Sequence, residues 1–150
     1  MQKFPLGKHI SYLYRIQQSF LTHKTVDYDI GGGQVSFIFT LFRFPGSSQE
    51  EVAKHLELDK TTVARALYKM EKNQIVKRIK DDKDQRVLRL YLTDKGMLLM
   101  DALENITEEW YGMATKGMTC EEKNTLEILM TKMTDNVKAY NQKEKDAKHE

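Results

Sequence analysis

Apolar and polar residues follow a helical period along most of this chain and a strand period in one short stretch. Residues 1–7 read as an irregular start and 7–26 as a helix, with Leu6, Ile10, Leu13 and Phe20 marking one stripe and Gln17 interrupting it. Tyr12, Tyr14, Arg15 and Ile16 lie around that stripe. Residues 27–33 read as a turn ending in three glycines. Residues 34–44 are apolar almost all round, with Phe37, Ile38, Phe39, Leu41, Phe42 and Phe44, which predicts a largely buried helix that Pro45-Gly46 stops.

The stretch 47–93 organises the rest. Ser48 precedes Glu51 by three residues, the spacing of a capping box, and Val52, Ala53 and Leu56 then share one helical face. Leu58 reads as a buried turn residue and Asp59 as the N-cap of a second helix. In that helix Val63, Ala66, Leu67 and Met70 form the inner face, while Thr61, Arg65, Tyr68, Lys69 and Lys72 fall on the outer one. So short a turn makes the two helices cross steeply, as in a helix-turn-helix. Glu57 stands where such turns often carry Gly. Residues 75–80 and 87–92 read as strands, the second placing Leu88, Leu90 and Leu92 on one side. The intervening loop, 81–86, has no Gly or Pro and predicts a protruding wing.

Thr93 caps a long helix to about 116, in which Leu99, Leu103, Ile106, Trp110 and Met113 recur in heptad-like steps. Gly117 stops it and Thr119 opens the last helix, whose seam is Leu126, Met130, Met133, Val137 and Tyr140. The two helices are expected to pack partly on each other. With Leu98, Ile128 and Leu129 also apolar, more surface remains than a small domain buries, so the first and last helices are expected to pair with a second chain about a two-fold axis. Residues 141–150 read as a charged, frayed tail.

Composition narrows the function. The chain has 150 residues and a net charge of only +2, yet residues 60–95 carry 11 Lys and Arg against 5 Asp and Glu. Residues 96–150 carry 7 against 11, so the charge is polarised along the sequence. A local basic field on a helix-turn-helix suits double-stranded DNA. No apolar run approaches membrane-spanning length and the start has no signal-peptide core, which with the single Cys120 points to a cytoplasmic protein without membrane contact. The three glycines are not a phosphate loop, because Gln34-Val35-Ser36 follows them in place of Gly-Lys-Ser/Thr. No nucleophile elbow or metal signature is present, and His9, His23, His55 and His149 lack ligand spacing. We therefore expect no enzyme activity, no metal and no cofactor.

In the DNA reading, Lys60, Thr61, Thr62 and Arg65 face a major groove from the start of the second helix, where Arg can pair with guanine and Thr can meet a thymine methyl or a phosphate. Lys69 and the amide ends near Ser48 and Gln49 anchor phosphates. Asp84, two residues before Arg86, can hold its guanidinium in a pose suited to a narrow minor groove; the alternative is a charged loop in water.

The second helix D-K-T-T-V-A-R-A-L-Y-K-M-E, the D-x-R of Asp84 and Arg86, and the run L-Y-L-T-D-K-G resemble the MarR/SlyA family of winged helix-turn-helix transcription regulators over nearly the whole chain. The resemblance implies a mainly α fold with a small β-hairpin wing, comprising a winged helix-turn-helix and a helical dimerisation region. On that plan 1–33 and 117–150 form the dimerisation region, 34–93 the DNA-binding module and 94–116 the connecting helix. It further implies a homodimeric repressor on a palindromic operator, with Asp84 orienting Arg86 into the minor groove, and release by a small aromatic or anionic ligand. Lys8, His9, Tyr12 and Arg15, clustered on the first helix, are the candidate residues for such a ligand. Two alternatives stay open: a winged helix that meets protein without specific DNA binding, and a redox-responsive regulator acting through Cys120.

Overall fold

The computed structural model describes residues 5–147. Most of the irregular start expected at 1–7, the last residues of the expected tail, and His149 lie outside the described residues. The elements run α1 (Leu6–Lys24), a 3-10 turn (Val26–Tyr28), α2 (Gly32–Arg43), α3 (Gln49–Leu56), α4 (Lys60–Lys72), β1 (Val76–Lys80), β2 (Leu88–Leu92), α5 (Asp94–Ala114) and α6 (Cys120–Ala147). The class is mainly α with one antiparallel hairpin. The chain divides into two compact units, one through Trp110 and one from Tyr111 onward.

In the first unit, α2 is the strut against which α1, α3 and β2 pack. Ile38 and Leu41 of α2 meet Val52, Val63, Leu67, Met70, Ile75, Leu90 and Leu103 in a core closed to solvent. Each such side chain contributes roughly 1.5–3 kcal/mol of apolar burial. The helix is less enclosed than its composition predicts: Phe42 and Phe44 are exposed, because Phe42 falls on the outward face beside buried Leu41 and Phe44 lies just past the helix end. The glycines before α2 have a packing role. A Cβ on Gly32 would lie 2.7 Å from the Gln18 backbone oxygen, so only glycine lets α1 and α2 approach there. Gly32 N–H donates to Thr22 Oγ1 at 3.0 Å, and Gly31 N–H donates to Gln34 Oε1 at the helix entry.

Helix α1 buries Leu21 at this contact, near its C-terminal end, while Leu6, Ile10 and Leu13 of the expected stripe are exposed. The helix also starts at Leu6, inside the expected irregular start, and ends at Lys24.

The capping box forms as the spacing predicts: Ser48 N–H donates to Glu51 Oε2 at 2.7 Å and Glu51 N–H donates to Ser48 Oγ at 3.2 Å. Helix α3 ends on Glu57 at φ 54, with Leu58 N–H returning to Ala53 O at 3.0 Å. This is a Schellman-type closure built without glycine. It leaves Leu58 exposed, contrary to the buried position expected. Helix α4 ends the same way on Gln74, at φ 59, with Ile75 N–H donating to Met70 O.

The strands pair from Val76 with Leu92 to Lys80 with Leu88. Leu90 and Leu92 face the core, while Leu88, nearest the wing tip, is exposed. The chain before α3 adds a bridge to the sheet, with Leu90 N–H donating to Ser47 O and Gly46 N–H donating to Leu90 O. Thr93 Oγ1 accepts the Gly96 N–H and caps α5, whose Leu99, Met100, Leu103 and Ile106 are buried.

In the second unit, Gly117 takes φ +84 after the end of α5. Thr119 and Glu122 form a reciprocal capping box at the start of α6, Thr119 N–H donating to Glu122 Oε2 at 2.7 Å. Helix α6 buries none of its described side chains; Leu126, Ile128, Leu129, Met130, Val137 and Tyr140 are all exposed. Residues 141–147, expected to fray, continue the helix. Among the described residues, no helix is long and apolar enough to cross a membrane.

Candidate nucleic-acid interface

Three pieces of the first unit carry the residues of interest: the N-terminus of α3, the outer face of α4, and the loop between β1 and β2. On α4, the apolar residues face inward because their period matches the helix. Thr61, Arg65, Tyr68, Lys69 and Lys72 are thereby left in solvent. Asp59 caps α4, accepting the Thr62 N–H at 2.8 Å and the Thr62 hydroxyl at 2.6 Å. These bonds hold the Asp59 carboxyl below its ordinary range. Thr62, expected to offer its hydroxyl outward, commits that proton to Asp59. Its methyl group and the oxygen's acceptor capacity remain available for a partner.

Lys60 Nζ lies 3.2 Å from Glu50 Oε1, bridging the starts of α4 and α3 with both side chains largely exposed. Gln49 accepts a hydrogen bond from Arg78 Nη1 at 3.2 Å, and Arg78 also pairs with Glu71 at 2.9 Å. At the start of α3 the Ser48 N–H donates to Glu51, and the Gln49 side-chain oxygen accepts from Arg78.

The loop is more ordered than a charged run requires. Asp84 Oδ1 accepts both the Arg86 N–H at 3.0 Å and the Arg86 Nε–H at 3.1 Å, and Oδ2 accepts Nη2–H at 3.3 Å. The guanidinium is thus forked on the carboxylate while the Arg86 side chain stays 91% exposed. That pairing lowers the Asp84 carboxyl from its ordinary range. An ion pair so wet contributes little stability; its effect is on direction. Asp81 opens the loop, accepting the N–H groups of Lys83 and Asp84 at 2.8 and 3.0 Å and Arg89 Nε–H at 2.8 Å. Its carboxyl falls to about 2, first because of the Arg89 bond and then because of the two amides.

Asp81 and Arg89 were not among the residues singled out from sequence. The only signal is a basic residue between Leu88 and Leu90, which reads as an ordinary outward-facing strand position.

The remaining candidates are not assembled into a site. Lys8, His9, Tyr12 and Arg15 are all exposed on the N-terminal half of α1, away from the Leu21–Gly32 contact with α2. Cys120 is exposed at the first residue of α6. Among the described residues, no group of His, Cys, Asp or Glu could hold a metal ion.

Residues 33–88, which span α2 to the start of β2, match the MarR family. A MarR transcriptional regulator from Methanosarcina mazei superposes with a TM-score of 0.81 at 34% identity, covering 89% of this chain and 97% of that one. The chain belongs to the MarR family. The family consists of transcription regulators and not enzymes, and MarR winged-helix architecture accounts for the order of α2 to α5. The HTH-type transcriptional regulator YybA of Bacillus subtilis is 28% identical over 130 residues, 87% of each chain. A MarR family regulator from Listeria monocytogenes, solved in complex with a 26mer DNA, shares the fold with a TM-score of 0.83 at 24% identity, covering 91% of this chain and 90% of that one.

Proposed function

We propose that this MarR-family regulator is a homodimeric repressor of palindromic double-stranded operator DNA. The observation that carries the reading is the exposed Arg86 forked on Asp84 at the wing tip. A guanidinium held in one direction at low entropic cost suits a narrow minor groove, which attracts Arg by its negative potential. The DNA complex of the Listeria relative supports the same reading.

In this account the N-terminal half of α4 enters the major groove. Arg65 pairs with a guanine edge, Thr61 and the Thr62 methyl meet a thymine methyl or a phosphate, and Lys60 and Lys69 neutralise phosphates. The amide end of α3 near Ser48 and Gln49 anchors a phosphate. The exposed apolar faces of α1 and α6 are covered by a second copy, which makes 1–33 and 117–150 the dimerisation region, 34–93 the reading head and 94–116 the connection. A dimer places two reading heads ~34 Å apart along one face of the duplex. A small aromatic or anionic ligand, meeting Lys8, His9, Tyr12 and Arg15 where the second copy closes over them, releases the DNA if it favours another spacing.

The test is a gel shift of the purified protein on the DNA upstream of its own gene, at two salt concentrations. The wild type gives a band that survives nonspecific competitor and weakens with salt. Arg86→Ala and Arg65→Ala each lose about 1–3 kcal/mol of binding, roughly 5- to 150-fold, with the dimer intact. Unchanged binding in both variants contradicts the proposal. A salicylate titration addresses release: a fall in affinity supports an aromatic anion as effector, and no change excludes that compound.

A further inference from the structure

Arg86 at the tip of the wing is joined to the helix-turn-helix by an unbroken series of hydrogen bonds, and Arg89 is the middle of it. Residue 89 pairs with Ile79, one pair back from the loop end of the hairpin. Its side chain is two-thirds buried, and its guanidinium faces protein acceptors on two sides. Nε–H donates to Asp81 Oδ2 at 2.8 Å, and Nη1–H donates to Glu51 Oε2 at 3.2 Å, with the Gly46 carbonyl 3.4 Å away. On one side, Glu51 is half of the capping box that starts α3. On the other, the second oxygen of Asp81 gathers the amides of Lys83 and Asp84 and so fixes the backbone from which the Asp84 carboxylate projects. That carboxylate then forks Arg86.

We propose that Arg89 is a positioning residue: through Asp81 and Asp84 it sets the direction in which Arg86 points, and it locks that direction to the start of α3. The assignment rests on the reading of Arg86 as a DNA contact. A planar fork suits this task because it bonds two carboxylates at a fixed mutual angle. Without it, the side-chain tie from Asp81 to the start of α3 is lost, and the Asp84–Arg86 pair swings as a unit.

The test is a double-mutant cycle on a duplex selected from random DNA by the wild-type protein. Arg89→Gln alone weakens binding roughly tenfold, within the usual coupling range for residues in one network. In an Arg86→Ala background, Arg89→Gln has no further effect, which loss of general stability would not produce. Arg89→Lys behaves like Arg89→Gln despite keeping the charge, because one ammonium cannot reproduce the fork. Additive losses, or wild-type affinity in either Arg89 variant, overturn the proposal. If Arg86→Ala itself binds normally, the reading of Arg86 fails first and this assignment falls with it. A DNA-free measurement stands beside the cycle. Arg89→Gln, or Asp81→Asn if the first variant folds poorly, speeds amide exchange at Lys83 and Asp84, and Arg86→Ala does not. Unchanged exchange in a folded variant contradicts the relay.

Discussion

Helix α5 contains two glycines whose replacement by alanine should shift stability in opposite directions. A Cβ on Gly96 would sit 2.4 Å from the Ile75 carbonyl oxygen and 3.2 Å from Leu92 Cβ. The Ile75 oxygen is not free to retreat, since it accepts the Thr93 N–H at 3.0 Å and lies 3.2 Å from Thr93 Oγ1. Accommodating the methyl group moves the start of α5 off the hairpin, at the upper end of the overpacking range, about 3 kcal/mol. Weakening the Thr93 bond adds about 1 kcal/mol, and the better helix propensity of alanine returns about 1 kcal/mol. The net loss is about 3 kcal/mol, a fall in Tm of roughly 6–12 °C for a chain of this length. Gly112 has nothing within 4 Å of its Cβ position. There only propensity acts, and Gly112→Ala raises Tm by roughly 2–4 °C. Both are read from thermal melts followed by circular dichroism at one fixed protein concentration, since self-association would shift Tm by mass action. A Gly96→Ala variant as stable as the wild type would refute the claim that this close approach seats α5 on the hairpin.

Other outcomes follow from single groups. Asp81, lowered from 3.8 to about 2, binds its proton more weakly folded than unfolded. Its stabilisation is full above about pH 4 and is lost as pH falls towards 2. Urea midpoints measured down this range decline, and Asp81→Asn flattens the decline; an equally steep decline in the variant counts against the Arg89 bond as its cause. Gln74 takes φ 59 with only its backbone needed for the Thr93 hydroxyl contact. Gln74→Gly therefore stabilises by about 0.5–1 kcal/mol in urea unfolding, and a destabilised variant would show that its side chain matters. Ser48→Ala removes the cap of α3 and costs about 1 kcal/mol in the same assay, against no change if the box were unimportant.

Sequence patterning anticipated the features governed by local chemistry. The capping box at Ser48, the Asp59 and Thr93 caps, and the inward face of α4 depend on residues three or four apart, so spacing reveals them. The Asp84–Arg86 fork is equally local. What escaped depends on residues distant in sequence. Arg89 meets Glu51 across 38 positions, and nothing in the alternation of β2 marks it as different from any outward-facing charge. Leu58 looked buried because it is apolar in a turn, but the left-handed Glu57 turns the chain so that it faces solvent. Phe42 and Phe44 show how aromatic density fails as a measure of enclosure, since Leu41 is buried while Phe42 beside it faces outward. The three glycines looked like an entry loop, while the need for Gly32 appears only when Gln18 of α1 lies against it.

The most direct test of the central claim is a selection of random duplex DNA by the purified full-length protein. The wild type enriches one inverted repeat, with half-sites about 10 base pairs apart centre to centre, and Arg86→Ala loses that enrichment. Recovery of no common sequence by a folded wild-type protein, or the same repeat recovered undiminished by Arg86→Ala and Arg65→Ala together, would contradict it.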